Sequence, residues 1–214
     1  MRISSELIAR AKQVKLIMQF GVGLEGVDID AATKAGIRVA QIPVTNIGVE
    51  LAKRLRPFGV KIIATKRSWS SSQLDGFTDE FVDEKGSCSE IYDFAGKADI
   101  VVCCLSMNKY TEDIIDDKFL SSMRKGALLI NFARGVDYDS IHHHLESGNL
   151  GGLGTDVTSK EPFNPNDKIL KMNVLLTPHV AGVTERSYRS MAKVVGRCRP
   201  SDSCRKSSVR RRDC

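Results

Sequence analysis

Residues 127–147 read ALLINFARGVDYDSIHHHLES. The first five positions are almost wholly apolar, as a strand buried on both faces requires. After a polar break, residues 138–147 take up amphipathic helical spacing, and Gly148 closes that helix. The same alternation continues outward in both directions. Short β-branched or apolar runs at 14–20, 37–42, 60–65, 99–105, 152–156 and 174–177 predict further strands, and helices are expected at 30–35, 47–56, 90–95, 111–121 and 184–195. Strands fed by helices in this rhythm imply a parallel sheet covered on both faces, so the expected fold class is α/β, a doubly wound parallel sheet. The punctuation agrees: Arg54, Arg56, Pro57 and Gly59 end one helix with a basic last turn, a proline stop and a glycine release. Residues 70–89 are polar and irregular and predict a surface loop.

With 214 residues, 42% of them hydrophobic and 27% charged, the chain can bury a sizeable core. No apolar run approaches the roughly 18 residues that span a bilayer, and the N-terminus lacks the apolar stretch of a secretory signal, so membrane and secreted classes are excluded and a cytoplasmic protein is expected. The net charge of +6 is unevenly placed. Residues 197–214 hold seven Lys/Arg and two Asp, a net of +5, so the body is close to neutral and a nucleic-acid partner is not expected. Of the six cysteines, Cys198, Cys204 and Cys214 lie in this tail. Cys103 and Cys104 fall in the apolar run DIVVCCL, where cysteine acts as a small hydrophobe; nothing has zinc-ligand spacing and no metal is expected.

Four groups of residues near expected strand ends carry chemistry, the place where open α/β sheets bind ligands. Gly21-Val22-Gly23 could present backbone amides to a carboxylate or form a plain tight turn. Arg134, directly after a buried strand, could fork onto a carboxylate or polarise a carbonyl; a surface salt bridge explains it equally. Asp156 and Glu161 form the third group. His179, held between Pro178 and a small-residue turn, is the fourth, and a carboxylate beside it would orient the ring and raise its proton affinity. His142, His143 and His144 point about 100° apart on a helix and cannot converge on one metal, so they read as solvated helix surface.

Four segments then occur in a recognisable order: FGVGLEGVDIDAATKAGIRVAQIP (20–43), LLINFARGVDYDSI (128–141), GLGTDVTSKEPF (152–163) and LLTPHVAGVTERS (175–187). Together they resemble the D-isomer-specific 2-hydroxyacid dehydrogenases, most closely the glyoxylate/hydroxypyruvate reductase and phosphoglycerate dehydrogenase branch. The resemblance implies an NAD(P)-dependent oxidoreductase that moves a hydride between nicotinamide and a small 2-keto or 2-hydroxy acid. It implies that Arg134 holds the substrate, His179 is the acid/base and Glu161 orients it, while Val22 and Gly23 offer amides to the substrate carboxylate. Asn46, Ile47 and Gly48 would line the cofactor phosphates, and Asp156 would meet the nicotinamide end. An acid about 20 residues past the glycines selects NAD. Here that position holds Lys66, Arg67 and Ser68, which suit a 2′-phosphate, so NADP is expected over NAD.

The resemblance also exposes departures. It divides the chain into a remnant of a flavodoxin-like substrate domain (1–43), a nucleotide-binding domain without its own first strand (44–196) and a basic, non-periodic tail (197–214) expected to be disordered. A long segment that relatives carry after 37–42 is missing, including a dimer-forming helix, which puts the family homodimer in doubt. The positions of the phosphate-binding glycines hold Pro43, Thr45 and Gly48, so only the third glycine remains. An alternative reading follows: a catalytically impaired, shortened isoform acting only through binding. The strand at 37–42, joined by a short turn to the next helix, is expected to fill the missing central position and to pair with both 60–65 and 99–105.

Overall fold

Parallel pairing joins every named strand of the computed structural model, which describes residues 3–20, 26–42, 47–66, 69, 79–105, 111, 113–133, 135–158, 161, 163–185, 187–189 and 192–193. Two compact units are formed, one from the described residues of Met1–Thr45 and Ala181–Cys214, the other from those of Asn46–Val180.

In the first unit, α1 (Ser5–Arg10) precedes β1 (Leu16–Phe20), α2 (Ile29–Lys34) and β2 (Arg38–Ile42). Asp28 caps α2, its carboxylate accepting from the Ala31 amide at 2.9 Å. Strand β2 pairs with β1, from Leu16 against Arg38 to Phe20 against Ile42. This overturns the expectation that 37–42 fills the centre of the larger sheet. The physical reason is local: β1, α2 and β2 make a complete crossover unit, Ile8, Ala32 and Ile37 bury themselves inside it, and the short connection closes at little entropic cost.

The second unit contains α3 (Ile47–Leu55), β3 (Ile63–Thr65), β4 (Glu84–Gly86), α4 (Ile91–Lys97), β5 (Ile100–Cys103), α5 (Asp117–Ser122), β6 (Ala127–Asn131), α6 (Tyr138–Glu146), β7 (Leu150–Thr155) and β8 (Val174–Leu176). β3 pairs with β4, and a separate sheet has the order β5-β6-β7-β8. Its core holds Leu120, Leu129 and Ile141, all fully buried, each contributing about 1.5–3 kcal/mol of apolar burial. Gly148, at φ 69°, ends α6 as expected, its amide donating to the Leu145 carbonyl at 3.2 Å.

Several expectations change. β4 lies inside the segment read as loop, because a short edge strand rich in charge carries no apolar signal. The helix expected at 111–121 is confined to Asp117–Ser122: Asp113 has φ 51°, Ile115 bridges to Val136, and Asp116 caps the helix by accepting from the Phe119 amide at 2.8 Å. Cys103 is buried but Cys104 is exposed. His144 is buried rather than solvated. Asn149 Nδ2 donates to its Nδ1 at 2.8 Å, so its Nε2 carries the proton and donates to Asp117 Oδ1 at 2.9 Å. The helix expected at 184–195 falls partly outside the described residues.

Candidate active site

The C-terminal ends of β6, β7 and β8 carry most of the chemistry in the second unit. Asp156 follows β7 and is only 5% exposed. Its Oδ1 accepts from the Thr177 hydroxyl at 2.6 Å and from the Val180 amide at 2.9 Å. Those donors stand on either side of His179, so one buried carboxylate fixes both ends of the turn that presents the imidazole. The turn needs fixing. His179 has φ 55°, a left-handed conformation that costs a β-carbon-bearing residue on the order of 1–2 kcal/mol.

Glu161 lies across the ring from this turn. Its two carboxylate oxygens stand 3.0 and 3.1 Å from His179 Nδ1. A carboxylate only accepts, so Nδ1 donates and Nε2 is left as the atom that exchanges a proton. Both side chains are partly open to solvent, His179 at 49% and Glu161 at 35%.

Beneath the 155–158 segment, Tyr138 donates its hydroxyl to the Val157 carbonyl and approaches Thr155 Oγ1 at 3.4 Å. Burial, before any other cause, pushes the Tyr138 phenol up, so it stays protonated and able to donate. Asn131, 1% exposed at the end of β6, accepts from the Ala133 amide at 2.9 Å and so shapes the turn that leads toward position 134. Gly135 has φ 101°, and a β-carbon there would lie 2.2 Å from the Thr111 carbonyl oxygen, so only glycine fits.

Lys66 follows β3. Its ammonium lies 5.8 Å from the centre of the Trp69 ring, and that of Lys85 from β4 lies 5.7 Å from the same ring, while Trp69 Nε1 donates to the Gly86 carbonyl at 2.7 Å. Two cations therefore gather at the C-terminal edge of the β3–β4 pair. Ile47 and Gly48 form the first turn of α3, where a β-carbon on Gly48 would touch, among the described residues, Cys104 at 3.8 Å.

The structure thus brings His179, Glu161 and Asp156 together and sets Lys66 at the end of a different strand. Arg134, Val22, Gly23, Asn46, Arg67 and Ser68 lie outside the described residues. Sequence reasoning missed Thr177, Tyr138 and Lys85. Thr177, a hydroxyl two residues before the histidine, carried a usable signal; Tyr138 and Lys85 did not, because one was absorbed into a helix face and the other into an expected loop. Among the described residues no group of three or more His, Cys, Asp or Glu is placed to hold a metal ion, and no helix is long and apolar enough to cross a membrane.

Residues 24–181 match the family model described as D-isomer specific 2-hydroxyacid dehydrogenase, NAD binding domain. The chain belongs to this family. It is 33% identical over 158 residues to the human glyoxylate reductase/hydroxypyruvate reductase, a match covering 72% of this chain and 46% of that protein. To the glyoxylate reductase of Thermococcus litoralis it is 26% identical over 259 residues, covering 92% of this chain and 76% of the relative. Because 92% of 214 is about 197, roughly sixty aligned positions of that relative have no counterpart here. The crystal structure of a glyoxylate reductase from Paecilomyes thermophila superposes with a TM-score of 0.75 at 24% identity, covering 91% of this chain and 74% of that one. The fold is accordingly Rossmann-like, and the protein is an NAD(P)-dependent oxidoreductase of the D-2-hydroxyacid dehydrogenase family; the comparisons do not favour a chain that acts only through binding.

The residues present suit a nicotinamide dinucleotide at the end where hydride transfer occurs. Asp156 is a buried acceptor at the end of β7, the chemistry that receives a carboxamide N–H, and it holds both ends of the turn that carries the candidate acid.

Proposed function

We propose that this chain reduces a small 2-keto acid of the glyoxylate or hydroxypyruvate kind, with NADPH preferred over NADH. The observation that carries this reading is the Glu161–His179 pair at the strand ends, 3.0 Å apart and fixed from behind by Asp156. When bound, the nicotinamide supplies the hydride to the carbonyl carbon. His179 holds a proton on Nε2 and delivers it to the carbonyl oxygen as charge develops there. Glu161 accepts from Nδ1, sets the ring plane and stabilises the imidazolium before the proton leaves. Arg134 pairs with the substrate carboxylate and polarises its carbonyl.

NADP preference rests on Lys66 and Lys85, whose ammonium groups flank Trp69 where a 2′-phosphate would need neutralising, with Arg67 and Ser68 adding to that set. Ile47 and Gly48, at the start of α3, would face the pyrophosphate, with Asn46 adding to that set.

NADPH oxidation followed at 340 nm with glyoxylate and with hydroxypyruvate tests the proposal. His179→Ala should lower kcat by about 10²–10⁴-fold. Lys66→Ala should raise the NADPH KM about tenfold and leave NADH nearly unchanged. An undiminished rate in His179→Ala would overturn the acid/base assignment, and equal effects on both cofactors would overturn the NADP preference.

A further inference from the structure

Strand β3 ends at Thr65 and β4 at Gly86, and their register sets Ala64 against Lys85. Side chains alternate between the two faces of a sheet, so Lys66, two positions past Ala64, falls on the same face as Lys85. The two are diagonal neighbours on adjacent strands, where like charges repel and long, freely rotating stems would splay the ammonium groups apart. Both nevertheless gather on one ring, that of Trp69, at 5.8 and 5.7 Å from its centre.

The ring itself is held. Trp69 Nε1, which can only donate, gives its N–H to the Gly86 carbonyl at 2.7 Å, and the same oxygen accepts the Lys66 amide at 3.0 Å, where the β3–β4 ladder ends. The Phe94 ring packs on Gly86, where a β-carbon would lie 2.5 Å from it, so the carbonyl that anchors the indole has a fixed place. Glu84, the carboxylate next to Lys85 in sequence, falls on the opposite face of β4 and receives Lys61 at 3.1 Å and Lys97 at 2.8 Å. An indole face attracts a cation without cancelling its charge, as a carboxylate in that position would.

We propose that Trp69 is a positioning residue for the ribose 2′-phosphate of NADPH: anchored on Gly86, its ring holds the ammonium groups of Lys66 and Lys85 on one face of the β3–β4 pair, where both meet the phosphate. This rests on the NADP preference argued above and adds the group that makes two lysines act as one site. A lysine that grips a phosphate gives up much of its rotamer freedom. Contact with the ring removes part of that freedom beforehand, so more of the attraction between ammonium and phosphate is expressed as affinity. An adenosine without the 2′-phosphate draws nothing from the arrangement. Trp69 therefore sets the discrimination between the two cofactors, not the affinity for the rest of the dinucleotide.

The test uses the full chain and two probes, adenosine 2′,5′-bisphosphate and adenosine 5′-monophosphate, with binding measured by calorimetry. The wild-type chain should bind the bisphosphate at least about tenfold more tightly than the monophosphate. Trp69→Leu should shrink that ratio to about twofold or less while leaving the monophosphate affinity nearly unchanged, and Trp69→Phe, which keeps a ring face but not the N–H, should restore part of it. Trp69 is the one tryptophan, so its emission reports on the site directly, whether or not the leucine variant folds. Saturating bisphosphate should change that emission, and monophosphate at equal occupancy should not. Equal or undetectable binding of both probes to the wild-type chain would overturn the NADP reading and this proposal with it. A wild-type ratio that survives Trp69→Leu would overturn the role of Trp69 alone. So would an equal weakening of both probes, which would mean that the indole only holds the strands together, an identical loss in the phenylalanine and leucine variants, or an emission indifferent to the bisphosphate.

Discussion

Asp156 does two things with one carboxylate oxygen, accepting from Thr177 on one side of His179 and from Val180 on the other. Asp156→Asn keeps the size but removes the charge, so both hydrogen bonds weaken and the left-handed turn loses its restraint. The expected outcome is about a tenfold fall in kcat with little change in the keto-acid KM. Glu161→Gln acts on the ring itself: without the carboxylate Nδ1 loses its charged acceptor and the ring its fixed plane, so kcat should fall by about tenfold or more with little change in the keto-acid KM. An unchanged kcat would mean that Glu161 does not act through His179. Gly135 is a separate case, structural in origin. With φ at 101° and a carbonyl oxygen 2.2 Å from the required β-carbon position, Gly135→Ala should cost about 2–4 kcal/mol in urea unfolding.

At the level of elements, strands whose apolar residues are contiguous were legible: β6 follows the predicted run residue for residue, and β7, β5 and β8 differ only at their ends. β4 was not, since Glu84, Lys85 and Gly86 look like loop, and the charges beside them find partners far away in sequence. Glu84 receives Lys97 at 2.8 Å and Lys61 at 3.1 Å, and Asp83 receives Arg56 at 2.7 Å and the Ile62 amide at 2.8 Å. The lysines, Lys97 first, hold the Glu84 carboxyl below its usual range, and Arg56 does the same for Asp83. A depressed folded pKa means that the contribution is full above the ordinary carboxylate value, about 4, and is lost as pH falls through the lower folded value. Exchange at the β3–β4 amides should therefore accelerate relative to β6–β7 below about pH 4; parallel changes in both pairs would show that these ion pairs do not hold the ribbon. The buried His144 was illegible for a related reason, because Asp117, which accepts from its ring, lies 27 positions away, and Asn149, which donates to it, lies past the end of the helix. The Glu161–His179 pair was legible only through the family resemblance, since 18 positions separate the two in sequence.

Across the described residues of the second unit, β3 and β5 do not pair, and α4 packs on β3 and on α5, linking the β3–β4 ribbon to the four-stranded sheet. The coupling is specific. The Phe94 ring lies on Gly86 of β4, where a β-carbon would come within 2.5 Å of it, while Ala95 enters the core that contains Cys103 and Leu120. A bonded central strand would spread that coupling over a ladder of hydrogen bonds; one helix of seven residues concentrates it in a few side chains. The ribbon should then open at lower free energy than β6 and β7, giving two tiers of amide protection instead of one. Phe94→Ala should widen the difference, accelerating exchange at Ile63–Thr65 and Glu84–Gly86 by at least about tenfold while leaving Leu129 and Leu153 within a factor of about two. Uniform acceleration across the unit would mean that the ribbon and the sheet unfold together, and that α4 is not their principal link.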